Sequence, residues 1–501
     1  MMRWVAFFIV PVAAPLAAAQ DVTTGTILNH VTVVNTRTGA LSPNMAVVLG
    51  NSKIVTVAPA STVRASGRAQ VIEATGKFVV PGYNDMHAHV VDNADAALTP
   101  WPMLIANGIT GFRQMSGNPE LLARGQRLRQ EVAGSKVVAP EPLALVGRLF
   151  NLAPEGERAG ITTPAAAVQE IQDQKRAGTD FIKAINVSRE VFFATAEETK
   201  KQKLDLVGHL TYALSGTEAS NAGMKAFEHL GAPGNILFDC STDETAVRQG
   251  LIAASQARQP AGPPPTPQAI ARIVERIVAT PTFMTSPAEG AMIQRAVDTY
   301  SERRCRTFAK LLAKNGTWQP LTLIRLKTMD MPDAYQNDPN VKYMPAPLRE
   351  VWRDVLGNFN RLPAPTRAAL RQLYAYDLKM VKIFKQEGVK MVAGDDLGGG
   401  WIVTGFGLHQ EFKEMLAAGL TPLEVLQTTT INAAEFLHRT DMGTVESGKN
   451  ADLVLLDANP VANVANLDKM SAVVLKGRYF DRAALDKMMA DVETAYQGGV
   501  K

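Results

Sequence analysis

The chain has 501 residues, of which 46% are hydrophobic and 20% are charged, so it can bury at least one large core and has the length of two or three domains. Its 52 basic and 48 acidic side chains give a net charge of only +4. Because this balance offers no basic stripe to a phosphate backbone, the predicted functions exclude nucleic-acid binding.

The first 20 residues, MMRWVAFFIVPVAAPLAAAQ, place one arginine before an apolar run that ends in small residues. Ala17 and Ala19 occupy the two small positions of a signal-peptidase site, which predicts a cleavable signal peptide over 1–19. An uncleaved membrane anchor is the alternative, but Pro11 and Pro15 interrupt a run that is short for a span of about 20 residues. We therefore predict a secreted or periplasmic protein without membrane association after cleavage.

Both ends of the remaining chain are rich in short β-type runs. Residues 25–80 contain several such runs, and the pattern returns in ADLVLLDANP and AVVLKGRYF near the far end. We predict that 20–81 and 440–483 together form one small β-sandwich domain. The last residues, 484–501, have a helical pattern and predict a helical tail.

Between these ends, residues 82–439 alternate short apolar strands with helical patterns, which is typical of parallel β/α units. The eight predicted strands lie in GYNDMHAH, GITGFRQM, LALVGRL, DFIKAI, LDLVGHL, AFEHL, TWQPLTL and VKMVAGDD. They indicate an α/β fold with a (β/α)8 TIM barrel, and the excess length predicts insertions near 235–285 and 327–363. Active sites of such barrels lie on the loops after the strands, so we expect the insertions to form a lid or a specificity wall.

Four histidines fall at the ends of predicted strands: His87 and His89 on the first, His209 on the fifth and His229 on the sixth. Because residues i and i+2 of a strand point to the same face, His87 and His89 can bind one ion through imidazole nitrogens. A polar turn or a hydrogen-bonded core pair is the alternative for these two residues alone. The histidines on the other strands favour a metal site.

A lysine, Lys183, ends the fourth predicted strand, where an unpaired ammonium would be costly to bury. Its head can reach solvent or pair with Asp180. Alternatively, burial lowers its pKa and the neutral amine takes up CO2, giving a carbamate whose two oxygens bridge two cations.

Two adjacent acids, Asp395 and Asp396, follow the eighth predicted strand in MVAGDDLGGG. Successive strand residues point in opposite directions, so only one of them can face a metal. We favour Asp396 and expect Asp395 to cap the next helix.

In combination, VVPGYNDMHAH, DFIKAI, FEHL and AGDDLGG resemble the metal-binding elements of the amidohydrolase superfamily. The stretch from GLHQEFKEMLAAGL to SGKNADLVLLDANP resembles the C-terminal sequence pattern of the superfamily. The whole resemblance covers about residues 25–480. The most similar branch contains imidazolonepropionase-like enzymes and Xaa-Pro dipeptidases.

The resemblance implies two divalent metal ions, with zinc as the predicted metal, although imidazole and carboxylate ligands also suit manganese and cobalt. One ion would be held by His87, His89, Lys183 and Asp396, and the other by Lys183, His209 and His229, with a carbamate on Lys183 bridging both. Two cations about 3.5 to 4 Å apart can lower the pKa of a bridging water enough to supply hydroxide. Asp396 would accept its proton and pass it to the leaving group.

The resemblance also implies hydrolysis of an amide bond in a small molecule, either a peptide-like substrate or an N-acyl amino acid. A lactone or phosphotriester hydrolase on the same site is one alternative, and a non-catalytic periplasmic binding protein is another. The sequence leaves open whether the chain forms a homo-oligomer. It also leaves open whether Cys240 and Cys305, its only cysteines, form a disulfide.

Some further residues have two interpretations each. Tyr212 follows His209 on the same loop and is either a substrate contact or a packing residue. His409 is expected to pack rather than to contact substrate, since the helix after the eighth strand lies behind the site. Gln114 stands where related chains often have an acid, so its contacts are expected to differ. Tyr343 and Trp352 either line a pocket or anchor an insertion.

Overall fold

The computed structural model describes residues 20–93, 98–153, 159–257 and 267–497. The predicted signal peptide, 1–19, lies outside these residues. Within the described ranges, no helix combines the length and the apolar character that a membrane span requires.

Most strands of the described ranges are short, and β2 and β3 are longer, at 9 and 10 residues. In chain order they are β1 (Gln20–Val22), β2 (Thr26–Val34), β3 (Leu41–Gly50), β4 (Lys53–Pro59), β5 (Val63–Ala65), β6 (Gln70–Glu73), β7 (Phe78–Pro81), β8 (Tyr83–Ala88), β9 (Ile109–Gln114), β10 (Glu141–Leu145), β11 (Phe150–Asn151), β12 (Phe181–Asn186), β13 (Asp205–Gly208), β14 (Ala226–Phe227), β15 (Gln319–Pro320), β16 (Met391–Val392), β17 (Leu453–Leu456), β18 (Met470–Leu475) and β19 (Arg478–Asp481).

Helices separate most of the strands from β8 to β17. They are α1 (Trp101–Ala106), α2 (Pro119–Ala133), α3 (Pro164–Ala177), α4 (Arg189–Gln202), α5 (Gly216–Asn221), α6 (Leu237–Cys240), α7 (Glu244–Ala257), α8 (Pro267–Ala279), α9 (Pro287–Asp298), α10 (Glu302–Asn315), α11 (Leu323–Asp330), α12 (Ala346–Asn360), α13 (Ala364–Gln386), α14 (Phe406–Ala417), α15 (Pro422–Thr429), α16 (Ile431–Phe436) and α17 (Arg482–Gln497).

Local sequence explains where several of these helices begin. The side chain of Asn118 accepts two backbone N–H groups at the start of α2. Ser286 with Glu289 forms a reciprocal capping box on α9, and Thr421 with Glu424 does the same on α15. Each cap satisfies backbone donors that have no partner in the first turn of a helix.

Strands from both ends of the chain hydrogen-bond into one eight-stranded sheet. Its order is β19-β18-β17-β7-β2-β3-β4, and β6 pairs with β2. The junction is the antiparallel pair β17 and β7, in which Leu453 lies opposite Pro81. β1 and β5 form a separate two-stranded sheet. The two packed layers of the predicted sandwich stay a prediction.

The predicted β/α strands pair in parallel and in chain order, as an α/β fold requires. They form three sheets, β8 to β10, β11 to β14, and β15 with β16. Single parallel bridges join Val146 to Phe181 and Ala226 to Trp318. A further bridge joins Ala88 of β8 to Leu397, beyond β16. This order is the one expected of the predicted barrel, whose continuous closed sheet stays a prediction.

One apolar cluster contains a buried side chain from, or directly beside, each of the eight predicted strands. Its members along these strands are Met86, Met115, Ala144, Val146, Phe181, Val207, Ala226, Trp318 and Val392. The cluster packs these parallel strands side by side, so their carboxyl ends lie at the same edge. Polar side chains that follow those ends therefore meet in one place.

The second predicted insertion packs against the loop after β16. Trp352 is buried, and its ring centroid lies 5.9 Å from that of Trp401. Tyr343 stacks on Phe406 at 5.5 Å. These contacts favour the anchoring role for Tyr343 and Trp352 over the pocket-lining role.

Cys240 and Cys305 are both buried and form a disulfide that closes a loop with a sequence separation of 65. Such a bridge limits the freedom of the unfolded chain, which for a loop of this length stabilises the fold by about 4 kcal/mol.

We expect a reducing agent to lower the free energy of unfolding by about 3–4 kcal/mol in denaturant titrations. A C240A/C305A variant should show no dependence on reductant. A thiol assay would first show that both cysteines of the wild type are reduced. If the unfolding curve of that reduced protein equals the curve of the oxidised protein, the prediction is wrong.

Candidate metal centre

Three of the predicted ligands converge on one point. His87 lies in β8, His229 lies in a short 3-10 helix (Glu228–Gly231) after β14, and Asp396 follows β16. One ligand atom from each lies within 4.8 Å of the other two. All three side chains are buried. The strand ends have therefore brought together residues that are more than 140 positions apart in sequence.

The carboxylate of Asp396 is the centre of this cluster. Its Oδ1 lies 2.9 Å from Nε2 of His89 and 3.3 Å from Nε2 of His87, while its Oδ2 lies 3.8 Å from Nε2 of His229. Although burial raises the pKa of Asp396, His229 and His87 hold it well below the usual range. The carboxylate is therefore ionised and available as a ligand.

Lys183 points into the same cluster from β12. Only 2% of the residue is exposed, and its Nζ donates to the carbonyl of Met115 at 3.0 Å and lies 3.4 Å from Nε2 of His87. Burial lowers its pKa to about 8 against the opposing effect of Glu228 and Asp396. The prediction that the Lys183 ammonium group reaches solvent is wrong, because the residue is buried. The prediction that it pairs with Asp180 is also wrong, because Asp180 accepts a hydrogen bond from Arg129 instead.

His209 and His229 complete the ring of predicted ligands. Their ring centroids are 5.3 Å apart, and Nδ1 of His229 lies 2.6 Å from the hydroxyl of Thr322. Burial lowers the pKa of His209 to about 3 and that of His229 well below its usual value, so both imidazoles are neutral. A neutral imidazole is the form that binds a metal.

The backbone is constrained at two of these ligands. His229 has φ of 54° and Asp396 has φ of 58°, in the left-handed region that residues other than glycine seldom adopt. Such strain concentrates at functional sites, where the surrounding structure stabilises it. Just before His209, a Cβ on Gly208 would lie 1.9 Å from the carbonyl oxygen of Ala184, so this close approach requires glycine.

Two buried side chains that the sequence analysis did not single out support His87. Glu228 accepts from Nδ1 of His87 at 2.7 Å and from Nη2 of Arg113 at 2.8 Å. Burial raises the pKa of Glu228, but Arg113 and His87 hold it down to about 2. The carboxylate therefore keeps the proton of His87 on Nδ1 and turns Nε2 towards the cluster. The only signal in the sequence was an acid directly before the histidine in FEHL.

We expect Glu228→Gln to weaken metal binding or lower kcat by roughly 10–100-fold, since the amide carries no charge to orient His87 or to pair with buried Arg113. Metal titration and steady-state kinetics would measure both effects. Glu141→Gln is the control, because Glu141 pairs with Arg439 and Lys476 away from the cluster. Wild-type metal affinity and kcat in a folded Glu228→Gln variant would contradict the prediction.

Asp395 lies beside the cluster but faces away from it. It is fully buried, its Oδ1 accepts the N–H of Leu397, and burial together with Asp85 raises its pKa well above the usual range. The expectation that it caps the next helix is wrong, since α14 begins after Gly405. Of the adjacent acids, Asp396 is the one that meets the histidines.

The weaker candidates lie at the edge of the site or outside it. Oε1 of Gln114 accepts the N–H groups of Val90 and Val91, so it supports the backbone just after His89. Tyr212 is half-buried with its ring 6.5 Å from Phe238, and its substrate contact stays a prediction. His409 lies behind the site, where Nε2 is 2.9 Å from the carbonyl of Asn107. This position agrees with a packing role.

The residues present fit a divalent metal ion. Imidazole nitrogens and carboxylate oxygens are the ligands that zinc and related cations prefer. The buried Nε2 of His209 has no hydrogen-bond partner among the described residues, which is costly unless a further group binds it. The metal roles of the predicted residues stay predictions.

Comparison with known proteins gives a family match and a fold match. Residues 362–479 match the Amidohydrolase family. The imidazolonepropionase of Streptococcus gordonii is 34% identical over 111 residues, which is 21% of this chain and 33% of that protein. The chain thus matches at most about a third of the length of these curated relatives.

Two solved structures share the fold over most of the chain. A bottromycin amidohydrolase has a TM-score of 0.69 at 19% identity, over 94% of this chain and 90% of its own. A Xaa-Pro dipeptidase with bound methionine has a TM-score of 0.58 at 16% identity, over 91% of this chain and 99% of its own. The α/β fold is therefore similar to that of amidohydrolase TIM-barrel enzymes.

Proposed function

We propose that this chain, which belongs to the amidohydrolase superfamily, is an exported hydrolase that uses two divalent cations to cleave an amide bond in a small peptide-like or N-acyl amino acid substrate. The observation that carries the proposal is the buried cluster of His87, His229 and Asp396, with Lys183 directed into it. Clusters of this composition bind the metals that activate water for hydrolysis.

The proposed ligand sets are those that the resemblance implies. His87, His89 and Asp396 would hold one cation, His209 and His229 the other, and a carbamate on Lys183 would bridge both. Burial supports the carbamate, because it keeps a fraction of the Lys183 amine neutral and able to react with CO2. When bound, the two cations would lower the pKa of a water held between them and polarise the scissile carbonyl.

The side chains of the cluster have separate tasks in this proposal. Glu228 orients His87 through its Nδ1, so that the Nε2 lone pair faces the reacting groups. Asp396 accepts the proton that the attacking water loses, and then delivers it to the leaving nitrogen. Burial of both carboxylates strengthens these interactions, since bulk water is excluded from the floor of the site.

The wider proposals concern architecture and location. We propose that the eight parallel strands close into a barrel, and that the two chain ends form a sandwich beside it. The bridges between neighbouring sheets support the first of these. The buried disulfide supports export, because disulfides persist in oxidising compartments such as a bacterial periplasm.

A substrate panel tests the proposed function. Protein without residues 1–19, loaded with zinc or manganese, would be assayed against dipeptides, N-acyl amino acids, lactones and phosphotriesters. We expect turnover of an amide, its loss after chelation, and its return with added metal. Turnover confined to lactones or phosphotriesters would overturn the amide assignment. Bound divalent metal without turnover of any substrate in the panel would favour the non-catalytic metal- or ligand-binding alternative. Failure to retain any divalent metal would overturn the metal-dependent mechanism.

A further inference from the structure

Arg325 contacts the proposed catalytic carboxylate from outside the predicted ligand set. It lies on α11, only 6% of it is exposed, and its Nε forms an ion pair with Oδ2 of Asp396 at 3.0 Å. The opposite oxygen, Oδ1, faces His89 and His87. Arg325 therefore pairs with Oδ2, the oxygen on the His229 side, and leaves Oδ1 to His89 and His87.

The same guanidinium also holds the end of an inserted helix. Its Nη1 donates to the carbonyl of Ala279 at 2.7 Å and its Nη2 to the carbonyl of Val278 at 2.6 Å. Both carbonyls belong to the last turn of α8, whose backbone also accepts the N–H of Gly400 through Ala279. The arginine thus joins the carboxyl end of α8 to the loop that carries Asp396.

The loop after Asp396 is shaped to admit this side chain. A Cβ on Gly399 would lie 2.5 Å from Nη1 of Arg325, so a larger residue there would displace the guanidinium. Nη1 and Nη2 already donate to backbone carbonyls, and Nε pairs with the carboxylate of Asp396. This arrangement favours a residue that orients Asp396 over one that binds substrate.

The middle of the helix that Arg325 holds presents apolar side chains to solvent. Ile273, Val274, Ile277 and Val278 are all exposed, at 37–51%. An ion pair of 2.7 Å between Arg276 and Asp354 connects α8 to α12 at the surface. Because a surface ion pair contributes little, the buried contacts at the carboxyl end hold α8 most firmly, and they include Ala279 in an apolar cluster with Trp352 and Trp401.

We propose that Arg325 is a positioning residue that couples the inserted helix α8 to Asp396. It fixes the rotation of the carboxylate, since a planar guanidinium bonded at three nitrogens cannot turn freely. A change in the position of α8 therefore changes the orientation of Asp396. The expected effect on catalysis rests on the proposed function. The attachment of α8 to α11 through Arg325 does not.

The test compares Arg325→Met, Arg325→Lys and the control Arg276→Met, all in the full mature chain. The control removes an arginine that fastens α8 but does not reach Asp396. Three quantities would be measured: kinetics on the amide that the panel identifies, Co2+ affinity of the metal-free protein, and the rate of trypsin cleavage after Arg272 in α8.

We expect Arg325→Met to lower kcat by about 10–100-fold with little change in KM, because the ligand carboxylate is present but misdirected. Co2+ should bind no more weakly, since a competing cation has been removed, and cleavage in α8 should become faster. Arg325→Lys should recover part of kcat, and Arg276→Met should keep the wild-type kcat.

The opposite outcomes separate the claims. A higher KM with unchanged kcat would make Arg325 a substrate-binding residue and overturn the proposal. Parallel losses of kcat and Co2+ affinity would reduce its role to structural support and also overturn it. Unchanged trypsin cleavage in Arg325→Met would overturn the coupling. If the wild type cleaves no amide, the proposed function fails, and the cleavage rate still decides the coupling.

Discussion

An Asp396→Asn variant is expected to lose at least about 10³-fold in kcat while keeping its fold, because a neutral amide cannot accept the proton of the attacking water. The asparagine side chain has the same shape, so its contacts with His89 and Arg325 can persist in part. The loss should therefore appear in kcat with native circular dichroism, and metal binding should also weaken. Stopped or continuous assays of the identified amide would measure the decrease.

Asp395→Asn is the matched control for that variant. Asp395 lies next in sequence, but burial and Asp85 raise its pKa well above the usual range, which favours the protonated form of its carboxyl group. An amide imitates a protonated carboxyl group, and we expect kcat to stay within about threefold of the wild type. If Asp395→Asn inactivates the enzyme and Asp396→Asn does not, the assignment of the two acids is reversed.

Lys183→Met is expected to remove the bridging group. We therefore expect kcat to fall by at least about 10³-fold, which corresponds to roughly 4 kcal/mol of transition-state stabilisation. Methionine keeps the length and apolar stem of the side chain but cannot form a carbamate. Metal analysis should show fewer than two equivalents bound. A short carboxylate such as propionate should restore part of the activity, because it can supply the missing oxygens.

Two controls show whether the loss of activity comes from loss of the carbamate or from loss of any buried lysine. Lys225→Met removes another largely buried lysine, which pairs with Asp205 rather than with the cluster, and it should keep wild-type metal content. Reactivation of the metal-depleted wild type should require bicarbonate. Full activity and two bound metal ions in Lys183→Met, or reactivation without any CO2, would contradict the bridging role.

Much of the fold could be predicted because it depends on local patterns. The alternation of apolar runs and helical periods located strands such as β8, β9 and β12. The pairing of both chain ends in one sheet was also predictable, since β-type runs without intervening helical patterns occur in residues 25–80 and return near the far end. The lengths of the late strands were not, because β14, β15 and β16 each contain two residues whose pairing depends on their neighbours.

The sequence by itself determined which side chains end the strands, because periodicity and turn residues are local properties. It pointed to His87, His229, Lys183 and Asp396 before any distance was known. Only the tertiary structure decided their partners: Glu228 with His87, Arg113 with Glu228, and Arg325 between Asp396 and α8. The physical reason is separation along the chain, since His87 and Glu228 are 141 positions apart and meet only when parallel strands are packed side by side.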